Sequence, residues 1–529
     1  MWQQLRCCED CFSVHCPSQI TFTGADMLER YVKKILNAKV YEAAIETPLD
    51  DAVSLSRRLN NQILIKREDL QPVFSFKLRG AYNMIANLSD EQRAAGVICA
   101  SAGNHAQGVA QAAKLMNIKA IIVMPVTTPE IKVSSVRARG GKVVLHGDSF
   151  DDAYTHACKL QEEKGYTFVH PYDAPDVIAG QGTIAREILH QHGAGNIDAI
   201  FIPVGGGGLA AGIAVYLKYL RPEIKVITVE YEESACLAAA IKSGRRTQLK
   251  EVGLFADGIA VAQIGKETFK VLKDLVDETM TVSADEICAA IKDIFDDTRS
   301  VAEPAGATAT AGMKKYIEQT GAQGKTFVTV CSGANMNFDR LRYVAERADV
   351  GEQHEAILSV TIPEQIGSFK RFITHIGKRA ITEFNYRYND GEQAHIFVGL
   401  KINSSEERES MVQQLKDDGY DVLDLTDNEV AKGHVRHMVG GHANAVDERL
   451  FRFEFPERPG ALLKFLSALG GHWNISLFHY RNHGAAYGRV LSGIQVAHSE
   501  LPAFHQKLNE LGYRYWDESD NPVYSVFLG

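Results

Sequence analysis

Between about residues 40 and 340, short apolar runs rich in β-branched residues alternate with longer stretches of helical spacing. The short runs include VICAS at 97–101, AIIVMP at 120–125, AIFIPV at 199–204, KVITVE at 225–230 and TFVTVCSGAN at 326–335. This alternation predicts an open, mostly parallel α/β sheet. Ligands of such sheets bind at the carboxyl ends of the strands, which is where the glycine-rich loops of this sequence fall.

The bulk properties argue against several classes of protein. The 529 residues carry a net charge of −9, which gives no support for a nucleic-acid or anionic-membrane partner. No apolar run approaches the roughly 18 residues that span a bilayer. Nine cysteines, five of them dispersed, fit a reducing compartment better than a disulfide framework, so a cytoplasmic location is expected.

The first 24 residues form an extension whose role the sequence leaves open. Cys7, Cys8, Cys11 and Cys16 crowd it, but their spacing matches no zinc-binding pattern, and no metal site is predicted. The segment lacks the features of a signal or transit peptide. It could also reflect a start codon assigned too far upstream, because MLERYVKKIL predicts a helix that begins at Met27.

A charged linker is predicted at 346–355, and an internal duplication follows it. IPEQIGSFKRF at 362–372 matches FPERPGALLKF at 455–465, and ITEFNYR at 381–387 matches ISLFHYR at 475–481. Each copy has the order strand, helix, two strands, helix, strand, which is the ferredoxin-like β-α-β-β-α-β unit. The two repeats are placed at 356–428 and 450–529.

Lys77 stands in the stretch FSFKLRG at 74–80, among apolar neighbours. One interpretation is a solvated lysine at the start of a helix, which the residue alone favours because burying an ammonium is costly. The other is a partly buried nucleophile, since desolvation lowers the pKa of a lysine and frees its lone pair for a Schiff base.

Three further loops follow predicted strands. GGGGL at 205–209 would bring several N–H groups and a helix N-terminus to one anion such as a phosphate, whereas a simple packing turn would need fewer glycines. SAGNH at 101–105 could hold a carboxylate or a phenolate, or Ser101 or Asn104 could merely cap a helix. CSGAN at 331–335 offers the hydroxyl of Ser332.

These loops, together with KREDLQPVFSFKLRGAY at 66–82 and EPAGA at 303–307, occur in an order that resembles the fold-type II pyridoxal-phosphate enzymes. The resemblance is to the biosynthetic threonine dehydratases, which carry paired C-terminal ACT-like repeats, and it covers residues 25–529. It implies a tryptophan synthase β-like α/β catalytic domain at 25–345, followed by two ferredoxin-like (ACT-like) α+β repeats.

The resemblance also implies the site residues. Lys77 would form the imine with pyridoxal 5'-phosphate and, once freed, remove the α-proton of the substrate. Ser332 would face the pyridine nitrogen, and because a hydroxyl does not keep that nitrogen protonated, direct loss of the β-hydroxyl is favoured. Asn104 would bond the phenolic oxygen, and Ser101, Asn104 and His105 would take the substrate carboxylate. The cofactor phosphate would lie on Gly205, Gly206, Gly207, Gly208 and Leu209.

Three positions qualify the resemblance. Related racemases have a serine where this chain has Ala102, so elimination with little racemisation is expected. Some relatives bind a divalent cation through a glutamate and an aspartate; here Glu230 is present but Cys236 replaces the aspartate, so no metal site is predicted. Glu303 could approach the cofactor, but a role in capping the helix that Pro304 begins is favoured.

The resemblance finally implies conversion of L-threonine to 2-oxobutanoate and ammonia in isoleucine biosynthesis, by a homotetramer that isoleucine inhibits, with valine opposing that inhibition. Alternatives that stay open are a serine dehydratase or racemase of the same fold, or a catalytically inactive amino-acid sensor. The effector site, or else only the cores of the repeats, would be lined by Phe369, Tyr386, Leu463, Phe478 and Tyr480.

Overall fold

The computed structural model describes residues 24–351, 354–363, 368–376, 379, 381–386, 393–437, 445–456, 461–469, 472–481 and 487–528. The cysteine-rich extension, with Cys7, Cys8, Cys11 and Cys16, lies outside these residues. Helix α1 (Gly24–Leu36) contains the helix predicted around Met27. None of the helices in the described part of the chain is long and apolar enough to cross a membrane.

The strands of the first domain form two sheets rather than one. The six-stranded sheet has the order β1-β2-β10-β7-β8-β9, and only the edge strand β1 is antiparallel to its neighbour. Its strands are β1 (Leu49–Asp51), β2 (Gln62–Arg67), β7 (Ala199–Pro203), β8 (Lys225–Tyr231), β9 (Glu278–Val282) and β10 (Thr326–Cys331).

The second sheet has four parallel strands in the order β5-β4-β3-β6. These are β3 (Val97–Ala100), β4 (Ala120–Met124), β5 (Lys142–Leu145) and β6 (Thr167–Phe168). All five strands predicted from the sequence are present, three in the first sheet and two in the second. Burial on both faces explains why they read as continuous apolar runs.

Helices cover both sheets. In chain order they are α2 (Val53–Leu59), α3 (Lys77–Ala86), α4 (Asp90–Ala95), α5 (Asn104–Leu115), α6 (Glu130–Ala138), α7 (Phe150–Lys164), α8 (Pro175–His192), α9 (Gly208–Leu220), α10 (Cys236–Ser243), α11 (Lys266–Leu275), α12 (Ala284–Thr298), α13 (Pro304–Thr320) and α14 (Arg340–Gly351). Helices α8 and α9 nearly touch, because a Cβ at Gly212 would lie 2.4 Å from Ile178 O.

The two predicted repeats have the predicted order of elements and the same sheet topology. The first contains β11 (Glu355–Pro363), α15 (Ser368–Ile376), β12 (Ile381–Tyr386), β13 (Gln393–Lys401), α16 (Ser405–Asp417) and β14 (Asp421–Asp424). The second contains β15 (Glu448–Pro456), α18 (Ala461–Leu469), β16 (Asn474–Arg481), β17 (Tyr487–Gln495), α19 (Leu501–Leu511) and β18 (Arg514–Asp517). The sheet orders β12-β13-β11-β14 and β16-β17-β15-β18 are antiparallel and correspond strand for strand.

A short helix that the sequence did not predict follows the last strand of each repeat, namely α17 (Glu429–Gly433) after β14 and α20 (Pro522–Phe527) after β18. Both helices help to join the repeats through one shared apolar core. That core contains buried residues from each repeat, including Phe397, Leu425, Val430, Leu491 and Val523. The two repeats therefore form a single packed body.

The prediction of a linker at 346–355 is wrong for most of its length. Residues 346–351 continue α14, and strand β11 already begins at Glu355, a residue only 3% exposed. The segment looks like a linker because it is charged, but ion pairs bury its charge: Arg347 contacts Asp285 of α12 and Glu429 of α17. A helix thus connects the catalytic domain to the repeats.

Candidate active site

Lys77 is the first residue of α3, and its side chain is partly buried. Burial lowers the pKa of Lys77 to about 8, although the nearby Glu303 acts in the opposite direction. Lys77 is therefore partly buried rather than fully solvated, and its role as a nucleophile stays a prediction. A lysine with this pKa has a substantial neutral fraction near physiological pH, which a nucleophile or general base requires.

A buried network of ion pairs anchors the helix that begins at Lys77. Arg79 donates to Glu68 at 2.7 and 2.8 Å and also pairs with Glu187, and Lys66 donates to Glu187 at 2.6 Å. These four side chains are at most 2% exposed. The network connects β2, α3 and α8. The basic residue two positions after Lys77, Arg79, is therefore a buried partner of two carboxylates.

The GGGGL loop joins β7 to α9. Gly207 has φ +91°, which favours glycine, and Gly208 begins the helix. The loop carbonyls are bonded on one side: Thr268 Oγ1 donates to Gly206 O at 2.7 Å, and Cys236 Sγ donates to Gly205 O at 3.4 Å. The first-turn amides of α9 are left for a ligand, an arrangement suited to a phosphate.

Gly206→Ala is expected to weaken cofactor binding by about tenfold or more, since a Cβ there would lie 2.2 Å from the ring of Tyr172. The loop or the ring must move, which disturbs the phosphate cradle. Equilibrium titration of the apo-protein with pyridoxal phosphate measures the change. Gly433→Ala is the control, because a Cβ there meets nothing within 4 Å. Unchanged affinity in Gly206→Ala would remove this loop from the cofactor site.

The SAGNH loop does not cap its helix through a side chain. Helix α5 begins at Asn104, the preceding cap position is Gly103, and Ser101 Oγ accepts from Gly103 N at 3.3 Å. His105 is buried with Nε2 at 2.8 Å from Val169 O. Burial, aided by Lys77, lowers the pKa of His105 to about 3, so the ring is neutral near pH 7.

The structure corrects the role favoured for Glu303. Pro304 does begin α13, but the Glu303 side chain makes no cap hydrogen bond and instead accepts from Asn104 Nδ2 at 2.5 Å. Burial, with a further contribution from Asp257, raises the pKa of Glu303 to about 7. Glu303 is thus a buried acceptor inside the site.

Ser332 is buried, and its Oγ donates to Ala305 O at 3.3 Å. Its main chain lies against the segment that carries the lysine, because Phe76 N donates to Ser332 O at 3.2 Å. Asn335, in the same CSGAN motif, donates to Asn104 Oδ1 at 2.7 Å. Asn335 has no role predicted from the sequence, although the CSGAN motif that contains it is the signal that points to it.

Several of the predicted residues lie close to one another, and we call the space between them the candidate cleft. Lys77 interacts electrostatically with Glu303 and His105, and Asn104 is bonded to Glu303. The segment Gly258–Ile259 connects this group to the glycine loop. A Cβ at Gly258 would lie 3.7 Å from Asn104 Nδ2, and a Cβ at Gly205 would lie 2.8 Å from Ile259 Cα. Leu209 is buried in the core beneath the loop.

Glu230 and Cys236 both form hydrogen bonds with main-chain groups of this protein. The Glu230 carboxyl group accepts from Leu237 N at 2.7 Å and Ala238 N at 2.8 Å, and burial raises its pKa to about 7. Among the residues that the structure describes, no group of three or more His, Cys, Asp or Glu side chains could hold a metal ion. The lack of a cation site stays a prediction for the whole chain.

The fold and the site define a pyridoxal-phosphate-dependent enzyme of fold type II. The residues fit the cofactor, because they provide an enclosed lysine of near-neutral pKa and a glycine cradle that a Cβ would fill. A family model for pyridoxal-phosphate-dependent enzymes matches residues 40–333. A second model, for the C-terminal regulatory domain of threonine dehydratase, matches residues 346–435 and 439–528.

Relatives cover nearly the whole chain. The L-threonine dehydratase biosynthetic IlvA of Burkholderia multivorans is 58% identical over 94% of this chain and 99% of its own. The L-threonine dehydratase biosynthetic IlvA of Escherichia coli is 55% identical over 96% of this chain and 98% of its own. The structure of processed threonine deaminase isoform 2 from Solanum lycopersicum has a TM-score of 0.61 at 49% identity, covering 62% of this chain and 96% of that one. The chain belongs to the biosynthetic threonine dehydratase family.

Proposed function

We propose that this chain dehydrates and deaminates L-threonine to 2-oxobutanoate and ammonia, the first step of isoleucine biosynthesis. The observation that carries the proposal is the enclosed Lys77, whose pKa burial lowers to about 8, beside the Glu303 and Asn104 pair. Full-length similarity to biosynthetic L-threonine dehydratases supports the choice of substrate.

The cofactor would be held by Lys77, Asn104, Ser332 and the loop Gly205, Gly206, Gly207, Gly208 and Leu209. When bound, pyridoxal phosphate supplies the electron sink that lets an amino acid lose its α-proton and its β-substituent. Lys77 Nζ, about one-tenth neutral at pH 7 with a pKa of about 8, accepts the α-proton. Ser101, Asn104 and the first-turn amide of His105 take the substrate carboxylate, since the His105 ring is neutral and bonded to Val169 O.

Two residues of the site, Ala102 and Ser332, favour elimination over racemisation. Ala102 stands where related racemases have a serine, and its methyl group cannot return a proton to the substrate. Ser332 offers a neutral hydroxyl rather than a carboxylate to the ring nitrogen. Solved structures of serine racemases share the fold, for example that from Dictyostelium discoideum at 29% identity and a TM-score of 0.54, so the fold alone does not exclude racemisation.

The decisive experiment is the formation of 2-oxobutanoate from L-threonine by the purified holoenzyme. L-Serine should also be a substrate, about 10-fold to 200-fold poorer, because the two differ by one methylene-sized group. Formation of D-amino acids without 2-oxo acid would favour a racemase. A chain that binds no pyridoxal phosphate and turns over neither substrate would instead be an amino-acid sensor.

We infer that the two repeats bind isoleucine as an inhibitor and valine as an effector that opposes this inhibition, in a cytoplasmic homotetramer. The similarity of both repeats to the regulatory domain of threonine dehydratase supports an effector site. Among the candidate lining residues, Phe478 of β16 is 38% exposed and packs on Phe455 and Phe465. The side chains of Phe369, Tyr386, Leu463 and Tyr480 lie outside the described part.

Sedimentation with and without isoleucine tests the oligomeric state.

A ring of four charges supports communication between the repeats and the catalytic domain. Arg347 of α14 pairs with Asp285 of α12 and, at 2.6 Å, with Glu429 of α17. Lys432 of α17 closes the ring with contacts of 2.7 Å to Asp285 and 2.8 Å to Glu429. Arg347 and Lys432 are each 7% exposed. A movement of α17 must therefore act on α12 and α14.

Glu429→Gln is expected to raise the half-inhibitory isoleucine concentration by about 2-fold to 30-fold, a change of roughly 0.5–2 kcal/mol in coupling. The substitution keeps the shape but removes one charge of the ring. Turnover without isoleucine should stay within twofold, because α17 lies outside the catalytic cleft. Inhibition curves measure the effect, with Glu130→Gln, in an exposed ion pair with Arg137, as the matched control. An unchanged curve would exclude the ring from regulation.

A further inference from the structure

The amide group of Asn104 lies between two side chains from distant parts of the chain. Asn335 Nδ2 donates to Asn104 Oδ1 at 2.7 Å, and Asn104 Nδ2 donates to Glu303 Oε1 at 2.5 Å. Glu303 is 4% exposed, so this second bond is shielded from water. The amide is therefore held from both ends.

A main-chain carbonyl sets the direction of these hydrogen bonds. Asn335 Nδ2 also donates to Val73 O at 2.8 Å, and a carbonyl oxygen can only accept. The nitrogen of Asn335 must face Val73, and its second proton is directed to Asn104. Asn104 must receive that proton with Oδ1, which turns its own nitrogen towards Glu303.

An amide nitrogen carries two protons, and Glu303 takes one of those on Asn104. The other proton is left for an acceptor in the cleft where Lys77 also lies. We propose that Asn335 is a positioning residue: it holds the Asn104 amide so that an N–H group, and not the carbonyl, faces the bound cofactor. This inference rests on the proposed function and adds the residue that orients Asn104.

A purely structural role for Asn335 is the competing explanation. Its loop also pairs with the segment before Lys77, through Ala334 N to Phe74 O at 2.9 Å and Phe76 N to Ser332 O at 3.2 Å. A substitution that merely loosened this pairing would lower activity without acting through Asn104. The two explanations differ in whether the effect of Asn335 depends on Asn104.

The test is a double-mutant cycle on the full-length holoenzyme with Asn335→Asp and Asn104→Ala. Aspartate has the shape of asparagine but cannot donate to Val73 O or Asn104 Oδ1. Asn104→Ala should lower kcat/KM for L-threonine by about 10²-fold to 10³-fold, as loss of one oriented donor does. Asn335→Asp should lower it by about tenfold or more. The double variant should lie within about twofold of Asn104→Ala.

A second readout does not depend on turnover. The pH at which the visible absorbance of the bound cofactor changes should shift in the same direction in Asn104→Ala and Asn335→Asp, because both lose the same donor. Asn335→Ala places no charge against Val73 O, so it should lose less kcat/KM than Asn335→Asp. Its effect should depend on Asn104 in the same way. It replaces the aspartate variant if that variant does not fold. Asn117→Asp, at an exposed position in α-left-handed conformation, is the control.

Losses that multiply in the double variant, or an absorbance titration that Asn335→Asp leaves unchanged, would overturn the positioning role. Both results would leave the proposed function intact, since the unsubstituted enzyme would still turn over L-threonine. A wild-type chain that neither binds pyridoxal phosphate nor acts on L-threonine would overturn the proposed function and this inference with it.

Discussion

Lys77→Ala is expected to abolish both the visible absorbance of the bound cofactor and the turnover of L-threonine, with activity falling about 10³-fold or more. Lys77 is partly buried with its pKa lowered to about 8, and its ammonium lies 5.2 Å from the centre of the Phe76 ring. We expect its role to be chemical, because desolvation favours the neutral amine that a nucleophile requires. Absorbance spectra and single-turnover assays measure the two losses.

Two further variants make this result specific. Lys77→Arg keeps the positive charge but not a nucleophile, because a guanidinium stays protonated, so it should be as inactive as the alanine variant. Lys164→Ala, at an exposed position at the end of α7, should leave both properties unchanged. Retained turnover in Lys77→Ala would remove this lysine from the chemistry and with it the assignment of the cleft.

The pH dependence follows from the same lysine. Only the neutral form of a lysine is a nucleophile, and burial lowers the pKa of Lys77 from its usual value near 10.5 to about 8. Attachment of pyridoxal phosphate to the apo-protein should therefore speed up as pH rises and level off above about pH 8. An ordinary exposed lysine would still be accelerating between pH 8 and pH 10.

Much of the fold was predictable because periodicity is local. The runs at 97–101, 120–125 and 199–204 became strands, and the duplication gave two sheets of equal topology. The division of the first domain into two sheets was not predictable, because it depends on which strands pair across long separations. The prediction of a linker was wrong for a related reason. The charge of Arg347 in α14 is neutralised by Asp285 and Glu429, which lie far away in sequence.

The candidate site shows the same limit at the level of single residues. The motifs identified Lys77 and Asn104, but the surface interpretation of Lys77 and the capping role of Glu303 both followed from local rules. Each was overturned by a contact from elsewhere, since Glu303 meets Asn104 only in the folded chain. The Asn335 bond to Asn104 likewise joins the ends of two strands in different sheets.

Arg79→Leu is expected to lower the free energy of unfolding of the catalytic domain by about 3–5 kcal/mol, the usual cost of breaking a buried ion pair by removing one partner. Glu68 and Glu187 would be left with Lys66 as their only buried cation in the network. Burial raises the pKa of Glu68, but Arg79 outweighs it, so the pKa lies below its usual value. Stability from this carboxylate is present above its unfolded pKa and is lost as pH falls.

The sign of the pH effect separates this mechanism from simple loss of packing. Without Arg79, the effect of burial raises the pKa of Glu68. Protonation of Glu68 then removes an uncompensated buried charge, so the loss of stability should be smaller at pH 5 than at pH 8. A cavity would cost the same at both values. Arg57→Leu, exposed on α2, is the control and should shift stability by less than about 0.5 kcal/mol.

The chain offers two separate probes for this measurement. Its three tryptophans are Trp2, Trp473 and Trp516, so within the described residues tryptophan fluorescence reports the second repeat alone. Loss of cofactor absorbance in urea, at one fixed cofactor concentration, reports the catalytic domain. Arg79→Leu should move the absorbance transition to lower urea and leave the fluorescence transition in place. A shift of both transitions together would mean that the domains unfold as one cooperative unit, with the network stabilising the whole chain.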